Sequence, residues 1–379
     1  MFRRRDPLDD ALVELAQPDG AADLELVLAP LASPDRARYL ELVEAHRLQA
    51  SLANALTRDG QPVPEELDEL LVDDRYVRLR IDQVLRDVSS ALNGVDGLAW
   101  VVCKGPTVAR LMSRAELRTY NDLDLLVAAD RLEDAIDALV AIGIEELNTN
   151  WDAYLRHGVG ELPMLADDIT IDLHWHLIAL ARQRRDIKLQ PRSLLERRRT
   201  ILVGTQRVPA LDAEDQLLHL TTHCALSGAV RLDQLRDIAV AATKDVIDWP
   251  VLLERARAAG IGRLAAQALD RTNAVLGAEI PAYRVAELGG RSVEIRRLLD
   301  GHAVTALRRF PVTTTRDAPA GTLRAVNRIA ETKLRELLAR PLSWNFLDEA
   351  AELFYGEATG GSDGRTRYMA MAAATTGDY

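Results

Sequence analysis

The sequence predicts a protein of the α+β class, in which a segment of alternating strands and helices lies between two helical regions. Residues 1–95 carry apolar positions at helical spacing, residues 96–211 contain short apolar runs bounded by turn residues, and helical spacing returns from residue 212. Aromatic residues make up only 4% of the chain, whereas alanine, leucine and arginine abound, a composition that favours helices.

The N-terminal region, residues 1–95, is predicted to be helical throughout. A long helix is expected from Asp35 to Thr57, with Ser33 as a plausible cap, and a second one from Glu65 to Leu92, where glycine is absent. This region carries no recognisable chemistry. Its expected role is therefore to brace the rest of the protein or to shape the side on which an acceptor would bind.

The stretch from Leu98 to Gly105 predicts a buried strand that ends in a tight turn. Leu98 to Cys103 is an apolar run, and Lys104-Gly105 ends it. Pro106 follows, and proline suits the first turn of a helix. We expect Gly105 to lie in an exposed turn, where a valine would leave the fold intact.

A second strand is predicted from Asp122 to Val127, with an aspartate on each side of Leu123. Residues i and i+2 of a strand point to the same face, about 7 Å apart at their Cα atoms. Asp122 and Asp124 therefore project together beside the Lys104-Gly105 turn. Two convergent carboxylates beside such a turn suit the binding of a divalent metal against a phosphate chain.

Further strands and a hairpin follow this segment. A helix is predicted over residues 131–142, candidate strands over 144–147, 161–166 and 169–176, and a hairpin over 200–211. Alternation along the strand 169–176 places Asp172, His174 and His176 on one face. A solvated polar face of the sheet is the alternative interpretation of that pattern.

These motifs resemble the polymerase-β-like nucleotidyltransferases and, within them, a family of largely uncharacterised bacterial nucleotidyltransferases. The turn of that family is Lys-Gly, as in Lys104-Gly105, and Arg118 stands four residues before the Asp-x-Asp strand, as in the family pattern. The segment I-D-L-H-W-H of residues 171–176 supplies the third acidic position, Asp172. Later matches lie at residues 215–223, 231–238 and 248–253, so that the resemblance covers residues 95–280.

The resemblance implies a small mixed sheet and the transfer of a nucleoside monophosphate from an NTP to an acceptor hydroxyl, with release of pyrophosphate. The implied cofactor is Mg²⁺, with Mn²⁺ as the alternative. The acceptor, whether a small molecule, a sugar or a protein, and the base of the NTP are not selected by the sequence. The implied metal-binding and catalytic residues are Asp122, Asp124 and Asp172.

The resemblance also implies roles for the residues around these aspartates. Asp172 would complete a second metal site or deprotonate the acceptor hydroxyl. The Gly105 backbone would approach the phosphates closely, and Lys104 would pair with a phosphate oxygen. Arg118 would either contact phosphate as well or hold the aspartate strand in place through an ion pair. Without a cation, the three grouped carboxylates would repel one another, so Asp124→Asn is expected to cost the metal-free protein no stability.

The predicted organisation has four parts. They are a helical N-terminal region (1–95), a nucleotidyltransferase core (96–211), a helical C-terminal domain (212–355) and a flexible tail (356–379) that is rich in glycine, alanine and threonine. Helices of the C-terminal domain are expected over residues 212–227, 232–244, 249–259, 263–276, 281–309 and 323–338.

Composition excludes several classes of protein. The net charge of −11 argues against general nucleic-acid binding, and two cysteines, Cys103 and Cys224, provide neither a disulfide framework nor a zinc pattern. No signal peptide and no apolar run of transmembrane length is evident, so a cytoplasmic location without membrane association is expected.

Two features leave alternatives open. The basic segment 182–199 either neutralises a phosphorylated ligand or forms a solvated helix surface with ion pairs. His219 and His223 fall on one helix face, so a metal phosphohydrolase that uses them with Asp233 and Asp237 is a rival function. Helix packing or contact with a nucleotide base is the favoured explanation of the two histidines, since the pattern lacks the glutamate of a zinc protease motif. A second rival is a non-catalytic nucleotide-binding protein of the same fold.

Overall fold

The computed structural model describes residues 7–147, 149–227, 229, 231–290 and 359–375. Within these ranges, seven strands form one mixed sheet that helices cover, which confirms the α+β class. The strands are β1 (Trp100–Val102), β2 (Asp122–Val127), β3 (Glu145–Glu146), β4 (Glu161–Ala166), β5 (Ile169–His174), β6 (Arg199–Val203) and β7 (Gln206–Ala210).

The described helices include those predicted over 65–92, 131–142 and 212–276 as well as others that the sequence did not predict, with short 3₁₀ turns at Ala29–Ala32, Ala115–Leu117 and Ala129–Arg131. Several begin at an aspartate or asparagine that accepts a backbone N–H of the first turn, as Asp212 does from Asp215 at 2.9 Å. The helices are α1 (Pro7–Leu15), α2 (Leu24–Leu28), α3 (Arg36–Ala45), α4 (Gln49–Arg58), α5 (Glu65–Asn93), α6 (Pro106–Ala109), α7 (Leu132–Val140), α8 (Trp151–His157), α9 (Ala181–Arg184), α10 (Pro191–Glu196), α11 (Ala213–Leu226), α12 (Leu232–Lys244), α13 (Trp249–Ala258), α14 (Gly262–Leu276), α15 (Ala282–Gly289) and α16 (Gly361–Ala374).

The sheet has the order β3-β4-β5-β2-β1-β7-β6. At its centre β2 runs parallel to β5, and the register places Asp124 opposite Asp172. Strand β1 is antiparallel to β2, and a single parallel pair, Val102 with Ala210, joins β1 to the predicted β6–β7 hairpin. The central strands are buried and therefore hold the aspartates in fixed positions.

The single helix predicted from Asp35 to Thr57 is wrong, because the structure divides it into α3 and α4. The division occurs at Arg47, whose φ is 53°, in the left-handed region. The amide of Arg47 donates to Glu44 O at 2.8 Å, which closes α3. The turn lets both helices bury their own apolar residues in one core, Tyr39 and Val43 from α3 and Leu52 and Leu56 from α4.

The described residues form two large apolar cores. One contains the N-terminal helices α1–α4 together with α11–α15, and the other lies between the sheet, α7, α8, α16 and the second half of α5. Helix α5 contributes to both, with Leu67 and Leu71 in the first core and Ile81 and Leu85 in the second. The N-terminal and C-terminal helices therefore pack in one core, and the predicted boundaries between the first three parts stay a prediction.

The flexible tail predicted for residues 356–379 is wrong where the structure describes it. Residues 361–374 form α16, and Tyr368 is fully buried between Trp151 and Trp175. The hydroxyl of Tyr368 accepts from Trp175 Nε1 at 2.8 Å and donates to Val159 O at 2.9 Å. A glycine- and alanine-rich composition masked this helix, because small residues allow close packing as well as flexibility.

Some predictions lie outside the described residues. Helix α15 covers the start of the helix predicted over 281–309, whereas the remainder and the helix 323–338 are not described. Within the described ranges, no helix combines the length and the apolar character that a membrane crossing requires. The cytoplasmic location stays a prediction.

The packing of α16 predicts the effect of Tyr368→Phe. Loss of the hydroxyl leaves the indole N–H of Trp175 and the carbonyl of Val159 without this buried partner, which should lower the free energy of unfolding by about 1–3 kcal/mol. Urea unfolding measures the loss, and Arg367→Ala, on the exposed side of α16, should change it by less than about 0.5 kcal/mol. Equal stability of the two variants would contradict this account of α16.

Candidate active site

The site lies where β2 and β5 run side by side. Their parallel register sets Asp124 directly opposite Asp172, and alternation places Asp122 on the same side of β2 as Asp124. Asp124 is buried, with 3% of its surface exposed, whereas Asp122 and Asp172 are partly exposed. The structure therefore brings all three predicted aspartates to one face of the sheet.

Asp124 is held by two cationic or hydrogen-bonding side chains. Lys104 Nζ lies 2.8 Å from Asp124 Oδ1, and His174 Nε2 lies 3.1 Å from the same oxygen. On its other side, His174 Nδ1 lies 3.2 Å from Oε2 of Glu161, within ion-pair distance but outside hydrogen-bond geometry. Glu161, His174, Asp124 and Lys104 thus form a continuous charged row.

This row shifts the pKa values of its members. Burial alone would raise the pKa of Asp124, but Lys104 and the hydrogen bond to His174 outweigh burial and lower it well below its usual range. Burial would lower the pKa of His174, yet its contacts with Asp124 and Glu161 raise it. Burial raises the pKa of Asp172 to about 7, against the opposing charge of nearby His174.

These contacts overturn the expectation that Asp124→Asn costs no stability without metal. The expectation assumed mutual repulsion among three ionised carboxylates. In the structure, Lys104 compensates the charge of Asp124, and the raised pKa of Asp172 favours its neutral form. Removal of the Asp124 charge would leave the ammonium of Lys104, 17% exposed, without its ion-pair partner.

A metal-ligand group is formed by Asp124, Asp172 and His174, each of which offers one ligand atom within 4.8 Å of the others. Carboxylate oxygens and an imidazole nitrogen are suitable ligands for a divalent cation. Asp122, predicted as a ligand, lines the same cavity but lies outside this group. His174 was placed on the Asp172 face by strand alternation but was not assigned a role, and Glu161 was missed.

The predicted exposed turn at Gly105 is wrong. Gly105 is buried with φ of 58°, and a Cβ there would lie 3.4 Å from the ring of Tyr120. Glycine is required because side chains rarely adopt this backbone conformation. Gly105 does line the cavity beside Lys104, so the turn lies where the resemblance placed it.

Arg118 forms a buried ion pair with Asp237 of α12. Its Nη2 lies 2.7 Å from Oδ2 of Asp237, its Nε lies 2.8 Å from Oδ1, and Nη1 donates to Thr119 O at 3.1 Å. The guanidinium is thus committed to these acceptors. Of the two roles considered for Arg118, the ion pair that fixes the start of β2 is the one that its contacts support.

A cavity of about 420 Å³ opens in front of the aspartates. The sheet supplies its acidic wall, α11 and α12 supply the opposite wall, and the turn between α3 and α4 contributes Arg47. Apolar side chains of the segment 177–180 close one side. The cavity thus combines a charged end with an apolar one, which suits a phosphorylated ligand that carries an organic group.

His219 and His223 line this cavity and lie 6.2 Å apart between ring centroids. Burial and nearby Lys104 lower the pKa of His219, and Lys104 followed by burial lowers that of His223 to about 3, so both are neutral at neutral pH. Asp233 and Asp237, the other residues of the hydrolase hypothesis, are bound by Arg231 and Arg118. The metal-ligand group found within the described ranges does not include these four residues.

The basic segment 182–199 does not contribute a cation to the cavity, although its side chains are fully described. Arg184 lies 4.8 Å from the ring of Trp175, and its Nη1 donates to Ile178 O at 2.9 Å. Arg197 and Arg199 form ion pairs with Asp215 and Asp245. These contacts support the ion pairs of the second alternative but not its solvated helix surface, since Arg184 is buried and Arg199 lies on β6.

Comparison with protein families matches residues 32–277 of the 379 to the family described as "Uncharacterised nucleotidyltransferase". The chain belongs to this family. The match begins shortly before α3 and ends after α14, so the nucleotidyltransferase unit includes N-terminal helices that the sequence motifs did not reach. A comparison with curated proteins finds no match.

The geometry at the turn before α6 predicts that Gly105→Val is destabilising. The positive φ and the contact with Tyr120 should together lower the free energy of unfolding by about 2 kcal/mol or more. Gly60→Val is the matched control, because Gly60 has φ of 74° and nothing within 4 Å of its Cβ position. Thermal unfolding of both variants separates the backbone cost from the steric cost, and equal losses would show that Tyr120 does not matter.

The Arg118–Asp237 pair predicts a loss of stability on Arg118→Met. The carboxylate of Asp237 would remain buried without its bidentate partner, at a cost of about 3–5 kcal/mol, and Arg118→Met with Asp237→Leu should recover much of it. Arg192→Met, which breaks an exposed pair with Asp130, should cost less than about 1 kcal/mol. In urea unfolding, a stable Arg118→Met protein would contradict the structural role.

Proposed function

We propose that the protein is a metal-dependent nucleotidyltransferase that transfers a nucleoside monophosphate from an NTP to an acceptor hydroxyl and releases pyrophosphate. The observation that carries the proposal is the pairing of Asp124 with Asp172 on adjacent parallel strands, with His174 beside them at a cavity. Membership of the family supports the reaction class. The acceptor and the base of the NTP are left open.

The residues present fit a divalent metal. Asp124, Asp172 and His174 would hold it, and Asp122, on the same face of β2, would join them through the metal or through a water. Mg²⁺ is the proposed ion and Mn²⁺ the alternative, and the imidazole ligand favours Mn²⁺ more than an all-oxygen site would. When bound, the metal stabilises negative charge on the transferring phosphate.

Glu161 would orient His174. Its carboxylate lies 3.2 Å from Nδ1 of His174, so that Nε2 faces Asp124 and the metal-ligand group. Carboxylates beside the second nitrogen of a metal-binding histidine commonly fix its tautomer and raise its basicity. Glu161 is thus proposed as a positioning residue.

Lys104 would serve both the metal site and the nucleotide. One N–H of its ammonium contacts Asp124, and the group has two further donors at the cavity wall, where a phosphate oxygen would accept them. Gly105, next in the chain, presents no side chain towards the cavity and permits close approach of the ligand. Asp172 remains the candidate that deprotonates the acceptor hydroxyl.

Two rival functions are less well supported. The hydrolase lacks a free carboxylate, because Asp233 and Asp237 are paired with arginines. A non-catalytic nucleotide-binding protein would account for the cavity but leaves the grouping of Asp124, Asp172 and His174 without a purpose.

Asp124→Asn tests the proposal. Loss of the carboxylate should lower the free energy of unfolding of the metal-free protein by about 3 kcal/mol, because Lys104 loses its partner. Saturating Mg²⁺–NTP or Mn²⁺–NTP should stabilise the parent protein by about 2–3 kcal/mol through mass action but leave the variant almost unchanged. Thermal shift assays with each of the four common NTPs, together with pyrophosphate release, provide the measurement.

Asp130→Asn is the control, since Asp130 lies just beyond the other end of β2 and is exposed. It should respond to the metal–nucleotide complex as the parent does. Asp172→Asn should retain most nucleotide binding and lose transfer. An Asp124→Asn protein that gains as much stability from Mg²⁺–NTP as the parent would refute the metal assignment and the mechanism.

A further inference from the structure

Not every cationic side chain that lines the cavity is paired with an aspartate. Of its four arginines and lysines, three contact an aspartate: Lys104 pairs with Asp124, Arg118 with Asp237, and Arg231 with Asp233. Arg47 is the fourth. Among the described residues, its side chain has neither an ion pair nor a hydrogen bond. Among the described cations of this cavity, Arg47 is therefore the one whose side-chain donors are all available to a ligand, whereas Lys104 offers only those that Asp124 leaves.

The backbone of Arg47 is held in a conformation that arginine disfavours. Its φ of 53° lies in the left-handed region, where glycine is the usual residue at the end of a helix. The hydrogen bonds from Arg47 N to Glu44 O and from Leu48 N to Val43 O, both 2.8 Å, fix this turn. A non-glycine residue in such a conformation is often associated with a functional site.

The turn is also anchored to the opposite wall of the cavity. The ring of His46, the preceding residue, accepts the backbone N–H of Leu232 at 3.3 Å, at the start of α12. Arg231, next to Leu232, and Asp233 are close enough to influence Arg47 electrostatically, as is Asp122 on the sheet side. Arg47 thus occupies the cavity between the acidic sheet edge and α12.

Arg47 is half-buried, and among the described residues its charge has no side-chain partner. Burial lowers the pKa of its guanidinium, and the neighbouring charge of Arg231 lowers it further, while Asp233 and Asp122 raise it. An anionic group in contact with Arg47 would offset the cost of burying this charge. Phosphate matches the planar, bidentate donor pattern of a guanidinium.

We propose that Arg47 binds the terminal phosphates of the nucleotide, and so holds the pyrophosphate leaving group. This inference rests on the proposed function. The transferred α-phosphate must lie at Asp124 and Asp172, where the metal-ligand group is. The charges of Asp233, Asp122 and, on α5, Asp74 act on Arg47. Of these, Asp122 and Asp233 line the cavity together with Arg47, so its guanidinium is suited to the phosphates on that side of the metal site. The N-terminal helices therefore complete the nucleotide site.

Calorimetric titration of the full chain with Mg²⁺ and inorganic tripolyphosphate tests this without knowledge of the base or the acceptor. Arg47→Gln should weaken binding at least tenfold, and Arg47→Lys less, because lysine retains the charge but not the bidentate geometry. Arg47→Gly should weaken binding as strongly as Arg47→Gln while its melting temperature stays equal to or above that of the parent, since glycine relieves the backbone. That combination separates a ligand contact from a structural role.

Arg38→Gln, an exposed position on α3, is the control for loss of one positive charge and should bind tripolyphosphate as the parent does. Nucleoside monophosphates should bind all variants alike, because Arg47 is assigned to the terminal phosphates. Parent-like tripolyphosphate affinity of Arg47→Gln would overturn this inference alone, even if binding of a phosphorylated acceptor fell. A parent protein that binds no metal–tripolyphosphate or metal–NTP would overturn the proposed function as well.

Discussion

The parallel register of β2 and β5 is the constraint on which the candidate site depends. Because Asp124 is paired with Asp172, and Leu126 with His174, the ligand atoms of three residues meet within 4.8 Å. A shift of one residue along either strand would turn its polar side chains towards the opposite face and into the apolar core. The buried residues Leu123, Leu125 and Leu173 on the other side of the strands prevent such a shift.

The buried charges around the site require compensation, and ion pairs between residues far apart in the sequence provide it. Lys104, in the turn after β1, compensates the charge of Asp124. Arg118, before β2, compensates the charge of Asp237 on α12. Buried ion pairs contribute little net stability but are costly to break, so they fix relative positions rather than add to stability. The Arg118–Asp237 pair therefore fixes the distance between α12 and the strand that carries Asp122 and Asp124.

The sequence predicted the sheet strands and the helices between residues 212 and 276 well, because apolar runs and helical spacing record local packing. Asp122 and Asp124 do share a face, since strand alternation is a short-range property, whereas Asp172 joins them through the parallel pairing of β2 with β5. Glu161 could also have been found. The turn at residues 167–168 pairs Ala166 with Ile169, and that register carries Glu161 to His174. The contact between Arg118 and Asp237, 119 positions apart, could not have been predicted, because it depends on how α12 packs on the sheet.

The position of Arg47 at the cavity could not have been predicted from the sequence. Its helical neighbourhood gives no motif, and the turn that orients it interrupts a segment with continuous helical spacing. Only the packing of α3 and α4 with α11–α15 in one core brings this arginine to the cavity. The family match from residue 32 includes these helices but not α1 and α2. On the proposed function, the smallest functional unit is therefore the sheet together with both helical walls, because Arg47 and the metal-ligand group line the same cavity between them.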